Sequence, residues 1–226
     1  MMGRTLPHRP LRNQPRPRLL AMLPWLRIIC DNLNPDNREI MSNARLVLQP
    51  PSGKAPPAHD IVLARLISSG LIGAPFAPVA DAWLAGENFL QQVSFLGCSP
   101  HLKLEPPAEG GFDFCHIRLR GPYHQARLLS AGNTRPPRCP ACGNGLKSWR
   151  TLEAAWSVGH DGPEVSCASC GKRSGPAQLQ WRRSAGFGNL FVEIWGIYPE
   201  EAIPQQTLLQ TLGGDEGGWR HFYLLH

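Results

Sequence analysis

The alternation of hydrophobic and polar residues predicts several short β-strands. Three segments alternate regularly enough to bury one face: RLVLQ (45–49), HLKLEPP (101–107) and FCHIRLR (114–120). Two segments nearer the C-terminus are rich in aromatic and β-branched residues and also predict strands: NLFVEIWGIYP (189–199) and WRHFYLL (219–225). In FCHIRLR the alternation places Cys115 on the buried face and leaves His116 on the polar, exposed face.

A period near 3.6 residues predicts helices at three places. Residues 60–69 put their apolar side chains on one face, and Gly70 follows as a stop. Residues 80–96 have the same pattern and are followed by Gly97, while residues 205–212 predict a third, short helix. The simplest assembly of these elements is an α+β fold with a small mixed sheet and two or three helices.

The first forty residues differ from the rest of the chain. They mix Arg, Pro and polar residues without a period, which is typical of segments that cannot bury enough surface to fold. The apolar run at 19–30 is broken by Pro24 and Arg27, so it does not fit a secretory signal peptide. We therefore expect residues 1–40 to be a disordered extension, or to precede a true start at Met41.

Composition narrows the class of protein. The chain has 226 residues, 42% of them hydrophobic, and no stretch approaches the ~20 apolar residues of a membrane helix. Seven cysteines are an odd number, and four of them lie in two tight pairs, unlike the evenly spread cysteines of a secreted disulfide scaffold. These features predict a cytoplasmic protein that does not cross a membrane.

Those two pairs share one pattern, Cys-x-x-Cys-Gly. They are RCPACG (138–143) and VSCASCG (165–171), and they supply four candidate metal ligands: Cys139, Cys142, Cys167 and Cys170. Four thiolates satisfy the tetrahedral preference of Zn²⁺ and leave no open position for water, so the predicted ion is structural. Iron held by the same four sulfurs, or a redox-active pair without metal, remains an alternative.

This pattern resembles a zinc ribbon, a small module built from two such turns and a short antiparallel sheet. The resemblance covers about residues 136–180 and implies a structural zinc ion. The resemblance does not imply one particular function, since zinc ribbons occur in transcription and RNA-processing factors and as structural units inside enzymes. We predict a zinc-ribbon insertion at residues 135–181, here named the cysteine module, within an α+β domain formed by residues 41–134 and 182–226.

Positive charge is concentrated around the cysteine module. The whole chain has a net charge of +6, but residues 118–183 alone carry eleven basic and three acidic side chains, a net +8. Arginine dominates this set, and its planar guanidinium suits contacts with phosphate. The candidate contacts to an anionic partner, above all nucleic acid, are Arg135, Arg138, Arg150, Lys172, Arg173, Arg182 and Arg183.

Two other functions stay open at this point. The protein could be an adaptor in which a structural zinc ion stiffens a surface for an acidic protein partner, or it could be an enzyme. Candidate acid–base groups for an enzyme are few: His101, His116, Glu105 and Asp113.

Two weaker arrangements also remain. Cys98, His101, Cys115 and His116 could form a second metal site. Trp149 and Trp156, near Arg150, could stack on nucleic-acid bases, although one of these rings is expected to pack over the cysteine module.

Overall fold

An antiparallel sheet of six strands organises the computed structural model, which describes residues 44–96, 102–159 and 163–226. The strands are β1 (Ala44–Gln49), β2 (Ile72–Pro75), β3 (Ala82–Ala85), β4 (Val93–Phe95), β5 (His116–Arg120), β6 (Arg127–Leu129), β7 (Val165–Ser166), β8 (Arg173–Ser174), β9 (Gly186–Gly188), β10 (Phe191–Trp195), β11 (Ala202–Pro204) and β12 (Arg220–Leu225). The α-helices are α1 (His59–Ser68), α2 (Phe89–Gln92), α3 (Glu153–Ser157) and α4 (Gln206–Gly213).

The main sheet has the order β12-β1-β10-β5-β3-β2, and each of its strand pairs is antiparallel. The other strands of the described residues form three two-stranded sheets, β4–β11, β6–β9 and β7–β8. The coarse prediction of an α+β fold is therefore confirmed. Four predicted strands are found as β1, β5, β10 and β12, and two predicted helices as α1 and α4.

The two faces of the main sheet bury different side chains. Leu46 and Leu48 of β1 point to the larger core, where they share one apolar cluster with Leu66 of α1 and Leu212 of α4. The alternate residue Val47 points to the opposite face, which has its own smaller cluster. Because side chains alternate along a strand, this division follows directly from the period of two that predicted β1.

The predicted helix at 80–96 is wrong. The segment forms β3, α2 and β4 instead, and Trp83 pairs with Ile117 in the main sheet. The chain changes direction at Gly86, where an added Cβ would lie 2.3 Å from the Gly70 carbonyl oxygen. Only a glycine permits so close an approach between two backbone segments. The apolar residues that suggested one helix belong instead to two short strands and a four-residue helix.

The predicted strand at 101–107 is not found in its described part, residues 102–107, which has no regular structure. Pro106 and Pro107 lack the N–H groups that a strand ladder needs. A single backbone hydrogen bond joins this segment to the sheet region, from Cys115 N to the Lys103 oxygen at 2.6 Å. The predicted extension at 1–40, with the start at Met41, lies outside the described residues.

The described residues of the cysteine module and of the main sheet belong to one compact unit. The apolar core of the cysteine module includes Leu128 of β6 and Phe187 of β9, which lie outside residues 135–181. The insertion boundary thus stays a prediction. Within the described residues, no helix combines the length and the apolar character needed to cross a bilayer.

Candidate metal centre

The four predicted cysteines converge on one point. Their sulfur atoms all lie within 4.8 Å of one another. Two contacts cross between the two pairs: Cys139 Sγ lies 3.7 Å from Cys170 Sγ, and Cys142 Sγ lies 3.6 Å from Cys167 Sγ. A tetrahedral ion with metal–sulfur bonds of about 2.3 Å separates its ligands by roughly 3.8 Å. The donor set is therefore compatible with a single bound metal ion.

The two cysteine turns have the same backbone geometry. Gly143 N donates to the Cys139 oxygen at 2.9 Å, and Gly171 N donates to the Cys167 oxygen at 2.8 Å. Both glycines have positive φ, +74° and +73°, although a Cβ would meet no atom within 4 Å at either position. They are thus required for their conformation and not for space. Each turn aims its two sulfurs at the same side.

Backbone N–H groups stabilise the thiolate form of the first cysteine in each turn. Those of Cys142 and Ala141 lower the pKa of Cys139. The N–H of Ser169 and that of the following residue lower the pKa of Cys167 to about 6. Because a metal binds the thiolate and not the thiol, these donors favour the ligand state at neutral pH.

Cys170 shows what the metal would contribute. The Lys172 N–H lowers the pKa of Cys170, but the three other sulfurs and desolvation outweigh it and raise the value to about 12. Four sulfurs this close share protons, since four adjacent negative charges repel one another. A divalent cation removes that repulsion, so metal binding should release protons from the site.

A cluster of tryptophans forms the core beneath the cysteines. Trp181 contacts Trp149 and Trp156 edge-on, with ring centroids 5.3 Å and 6.2 Å away. Cys139 and Cys167 belong to the same apolar cluster. The side chains of Trp149 and Trp156 are 1% and 0% exposed, so neither offers a ring face to a nucleic-acid base. The hypothesis that this pair stacks on bases is wrong, because both indoles build the module's core.

All seven predicted anion-contacting side chains are exposed. Two of them form ion pairs: Arg150 pairs with Glu153 at 2.9 Å, and Arg173 pairs with Glu164 at 3.1 Å. The remaining five form no ion pair within the described residues, namely Arg135, Arg138, Lys172, Arg182 and Arg183.

Arg182 and Arg183 lie in an unusual turn. Ser184 N donates to the Trp181 oxygen at 3.1 Å, and the two arginines between them have φ of +52° and +58°. Two successive positive φ angles define a type I′ turn, which favours Asn and Gly and costs other residues about 1–2 kcal/mol each. Sequence reasoning named both arginines as candidates but missed this conformation.

Hydrogen bonds and packing hold this arginine turn in place. The Ser184 hydroxyl donates to the Trp181 oxygen at 2.8 Å and accepts from Arg135 N at 3.0 Å. Tyr223 N, on the outer edge of β12, donates to the Arg183 oxygen at 3.0 Å. Strained residues persist where their surroundings fix them, and such residues concentrate at functional sites.

His116 is not the exposed residue that alternation predicted. Its side chain is 0% exposed and stacks on Trp195, with 5.8 Å between ring centroids and 6° between ring planes. Nδ1 donates to the Phe114 oxygen at 3.0 Å, because a carbonyl can only accept. β5 is an interior strand, and the rings of Phe114 and Trp195 pack on His116 on its second face, so this polar residue is buried all the same. Cys115 is buried as predicted.

The proposed second metal site and the candidate acid–base group are not assembled in the described part of the chain. Cys98 and His101 lie outside the described residues. Asp113 forms an exposed ion pair with Lys103 at 2.6 Å, and Glu105 is exposed while His116 is buried.

Sequence reasoning also missed a polar cluster on the same face of the main sheet. Glu193, 4% exposed, accepts a hydrogen bond from Trp195 Nε1 at 3.1 Å and lies 3.7 Å from Arg45 Nε. The Arg45 guanidinium carbon lies 4.5 Å from the centroid of the Trp195 ring. A buried carboxylate needs such partners, and this cluster supplies them. Glu193 is the one acidic residue of the predicted strand 189–199, so the sequence shows where the polar side chain lies. Its partner Arg45 is identified only by the pairing of β1 with β10.

The buried state of His116 predicts a pH dependence of stability. Burial lowers its pKa to about 4, so the folded protein holds the ring neutral while the unfolded chain titrates near its ordinary pKa. The stability associated with a neutral His116 is fully present above about pH 6.5 and is lost as pH falls through 4. The free energy of unfolding should decrease by roughly 3 kcal/mol over this range because of this one residue. Urea unfolding from pH 7 to 4 should therefore show a shallower loss in His116→Phe than in the wild type.

The exposed residue His124 provides a matched control, since His124→Phe makes the same change on the surface. Comparing variants also cancels any loss of metal at low pH, which all three proteins share. Parallel curves for the wild type and His116→Phe would contradict a buried neutral ring.

Comparison of the chain with protein-family models, with curated proteins and with solved structures finds no match. What the chain's own residues establish is an α+β protein with four converged cysteines, surrounded by exposed cations.

Proposed function

We propose that the cysteine module is a zinc ribbon with one structural zinc ion, and that its basic surface binds nucleic acid. Four cysteine sulfurs at near-tetrahedral spacing support zinc over hard cations, which prefer oxygen ligands. The β7–β8 hairpin flanks the second pair, and Arg138 forms bridges to Gly145 and Gln180 beside the first, as expected for a ribbon. With four thiolate ligands the ion has no open position, so its role is structural.

The observation that carries nucleic-acid binding is the strained arginine turn. Arg182 and Arg183 line a cleft of about 370 Å³ together with Arg135, and none of the three has an acidic ion-pair partner within the described residues. Glu200 also lines the cleft and moderates its positive charge. Two adjacent arginines on a hydrogen-bonded backbone turn present guanidinium groups on one surface, which suits the evenly spaced phosphates of a nucleic acid.

Salt dependence of binding tests this function. We expect a fluorescein-labelled mixed-sequence oligonucleotide to bind at 50 mM salt. The logarithm of its association constant should fall linearly with the logarithm of the salt concentration up to 200 mM. Arg138→Gln and Lys172→Gln should each reduce the slope by roughly 0.7 for a single strand or 0.9 for a duplex, because each removes about one phosphate contact. Fluorescence anisotropy at five salt concentrations measures both quantities.

Lys103→Gln is the matched control, since it removes the same charge from an exposed position outside the cysteine module. Its slope should equal that of the wild type. Absence of binding at 50 mM salt, or equal effects of all three substitutions, would reject the proposed interface.

A further inference from the structure

Three arginines share one face of the main sheet with a single carboxylate. Arg118 of β5 pairs with Glu193 of β10, and Arg45 of β1 pairs with Trp195 of β10. Arg120 lies two residues beyond Arg118 on β5. Paired residues, and residues two apart on one strand, point to the same side of a sheet. The three arginines therefore surround Glu193 on the face opposite the larger core.

The carboxylate of Glu193 does not neutralise all three cations. Its Oε2 accepts a hydrogen bond from Trp195 Nε1 at 3.1 Å, and its Oε1 lies 3.7 Å from Arg45 Nε, beyond hydrogen-bond distance. Arg118 forms neither an ion pair nor a side-chain hydrogen bond with any described residue. Two guanidinium groups thus lack a hydrogen-bonded counterion in the described part of the chain.

Arg120 is better compensated than the other two arginines. Its Nε donates to the Tyr123 hydroxyl at 3.2 Å. Burial alone would lower the pKa of Arg120, but this hydrogen bond together with the carboxylates of Glu193 and Asp81 raises it. The side chain of Asp81 is 61% exposed, so water and salt screen its charge from more distant groups.

Arg45 and Arg118 respond in the opposite direction. Burial is the largest effect and lowers the pKa of each, nearby Arg120 lowers it further, and Glu193 offsets these effects only in part. Their charged state is destabilised both by desolvation and by repulsion between like charges. A further anion between them would stabilise both guanidinium groups.

Both guanidinium groups lie beside one aromatic ring and reach solvent. Their central carbons lie 4.5 Å and 5.7 Å from the centroid of the Trp195 ring. The side chain of Arg45 is 12% exposed, and Arg118 is half-buried. In each, Nε is buried and unpaired among the described residues, whereas the terminal Nη atoms are not buried. The Nη atoms are therefore the donors that a ligand can contact.

The charge balance of this cluster indicates the class of anion. Three guanidinium groups and one carboxylate leave a formal charge of +2 on one face of the sheet. A phosphate monoester carries about −1.5 to −2 at pH 7, whereas a carboxylate or an internal phosphate of a nucleic acid carries a single negative charge. Arginine also donates two parallel hydrogen bonds to phosphate oxygens. A dianionic phosphate group therefore matches the cluster best.

We propose that Arg45 and Arg118 bind one dianionic phosphate group beside the Trp195 ring, either free phosphate or the terminal phosphate of a small ligand. This site lies on the main sheet, and the nucleic-acid interface proposed above lies on the cysteine module. The inference does not rest on nucleic-acid binding, because the internal phosphates of a nucleic acid carry only one charge each.

NMR spectroscopy of the arginine side chains tests this site in the full-length, ¹⁵N-labelled protein. The buried Nε–H groups of Arg45 and Arg118 are shielded from exchange with water, so their signals should be visible. Inorganic phosphate or methyl phosphate, added at constant ionic strength, should shift both signals along one saturable curve. Dimethyl phosphate, which carries a single charge, should bind at least about tenfold more weakly. Binding of inorganic phosphate without methyl phosphate would support the site and identify free phosphate as its ligand.

Two substitutions and two controls complete the test. Arg118→Gln and Arg45→Gln should each weaken phosphate binding roughly tenfold to a hundredfold, as expected for lost hydrogen bonds to a charged group. Arg127→Gln is the matched control, since Arg127 is also half-buried and has a buried, unpaired Nε, but lies over Tyr123 on β6. Arg182→Gln removes a cation of the arginine turn. Both controls should keep the wild-type affinity.

Thermal unfolding of each variant separates lost binding from lost folding, and either cluster substitution suffices if the other fails to fold. Signals that do not shift, shifts that do not saturate, or wild-type affinity in both cluster variants would overturn the inference. A loss of affinity in Arg182→Gln alone would place the phosphate at the arginine turn and would overturn it as well. Each of these results leaves the salt-dependent nucleic-acid binding to be decided by its own experiment.

Discussion

Cys139→Ser or Cys167→Ser should abolish metal binding and unfold the cysteine module. Both residues are buried, at 0% and 3% exposure, and each sulfur lies within 3.7 Å of a sulfur of the other cysteine pair. Structural zinc contributes about 10–16 kcal/mol to the folding of small zinc modules. We expect the bound metal to fall from one ion per chain to none.

Two measurements check this result. Inductively coupled plasma spectrometry of purified protein should give one zinc ion per wild-type chain, and iron in its place would be visible by its absorption. Limited proteolysis should cut the Cys139→Ser chain within residues 136–180 before it cuts the main sheet, and a chelator should have the same effect on the wild type.

Cys115→Ser serves as the control because it makes the same substitution at a buried cysteine outside the site. It should lower stability but retain one metal ion per chain. A wild-type protein that folds identically with and without metal would contradict a structural ion, as would a Cys139→Ser chain that keeps its zinc.

The convergence of the four candidate metal ligands was predictable because their signal is local. Two residues between cysteines and a glycine directly afterwards fix the geometry of each turn, and both turns form as that spacing indicates. The exposure of the seven cations also follows from their charge, since isolated arginines are rarely buried. Convergence of the two turns is what an ion bound by all four cysteines would require.

Other features depend on contacts between distant segments. Residues 80–96 have helical spacing, but the close approach of Gly86 to Gly70 directs that segment into the sheet. His116 sits on the polar face of an amphipathic strand, yet Phe114 and Trp195 cover it. Period and composition cannot report what lies across a sheet from a given residue.

The arginine turn shows the same limit for function. Neither arginine favours a type I′ turn, so local preference argues against the conformation that both adopt. Trp181 buried on one side and Ser184 hydrogen-bonded on the other impose it. The partners of Ser184 are Thr134 and Arg135, some fifty residues earlier in the chain, where no sequence pattern connects them. The feature that best supports binding is thus the least visible in the sequence.

Trp181→Ala should cost about 3–5 kcal/mol of unfolding free energy, the typical loss for truncating a buried aromatic residue. The indole fills the space between Trp149 and Trp156, and its Nε1 donates to the Pro176 oxygen at 2.9 Å. Because Cys139 and Cys167 belong to the same cluster, the cavity should also weaken metal binding. Urea unfolding at fixed free zinc measures the loss, since bound metal otherwise shifts the apparent stability.

Trp181→Phe is the matched variant, because it keeps an aromatic ring and removes the indole N–H and part of the volume. It should cost less than the alanine substitution and should retain the metal. The distinction decides what the residue does: Trp181 also begins the arginine turn, so its truncation should reduce nucleic-acid affinity only together with stability. Lower affinity in Trp181→Ala without a change in the urea midpoint would show that the ring contacts the ligand directly and is not a core residue.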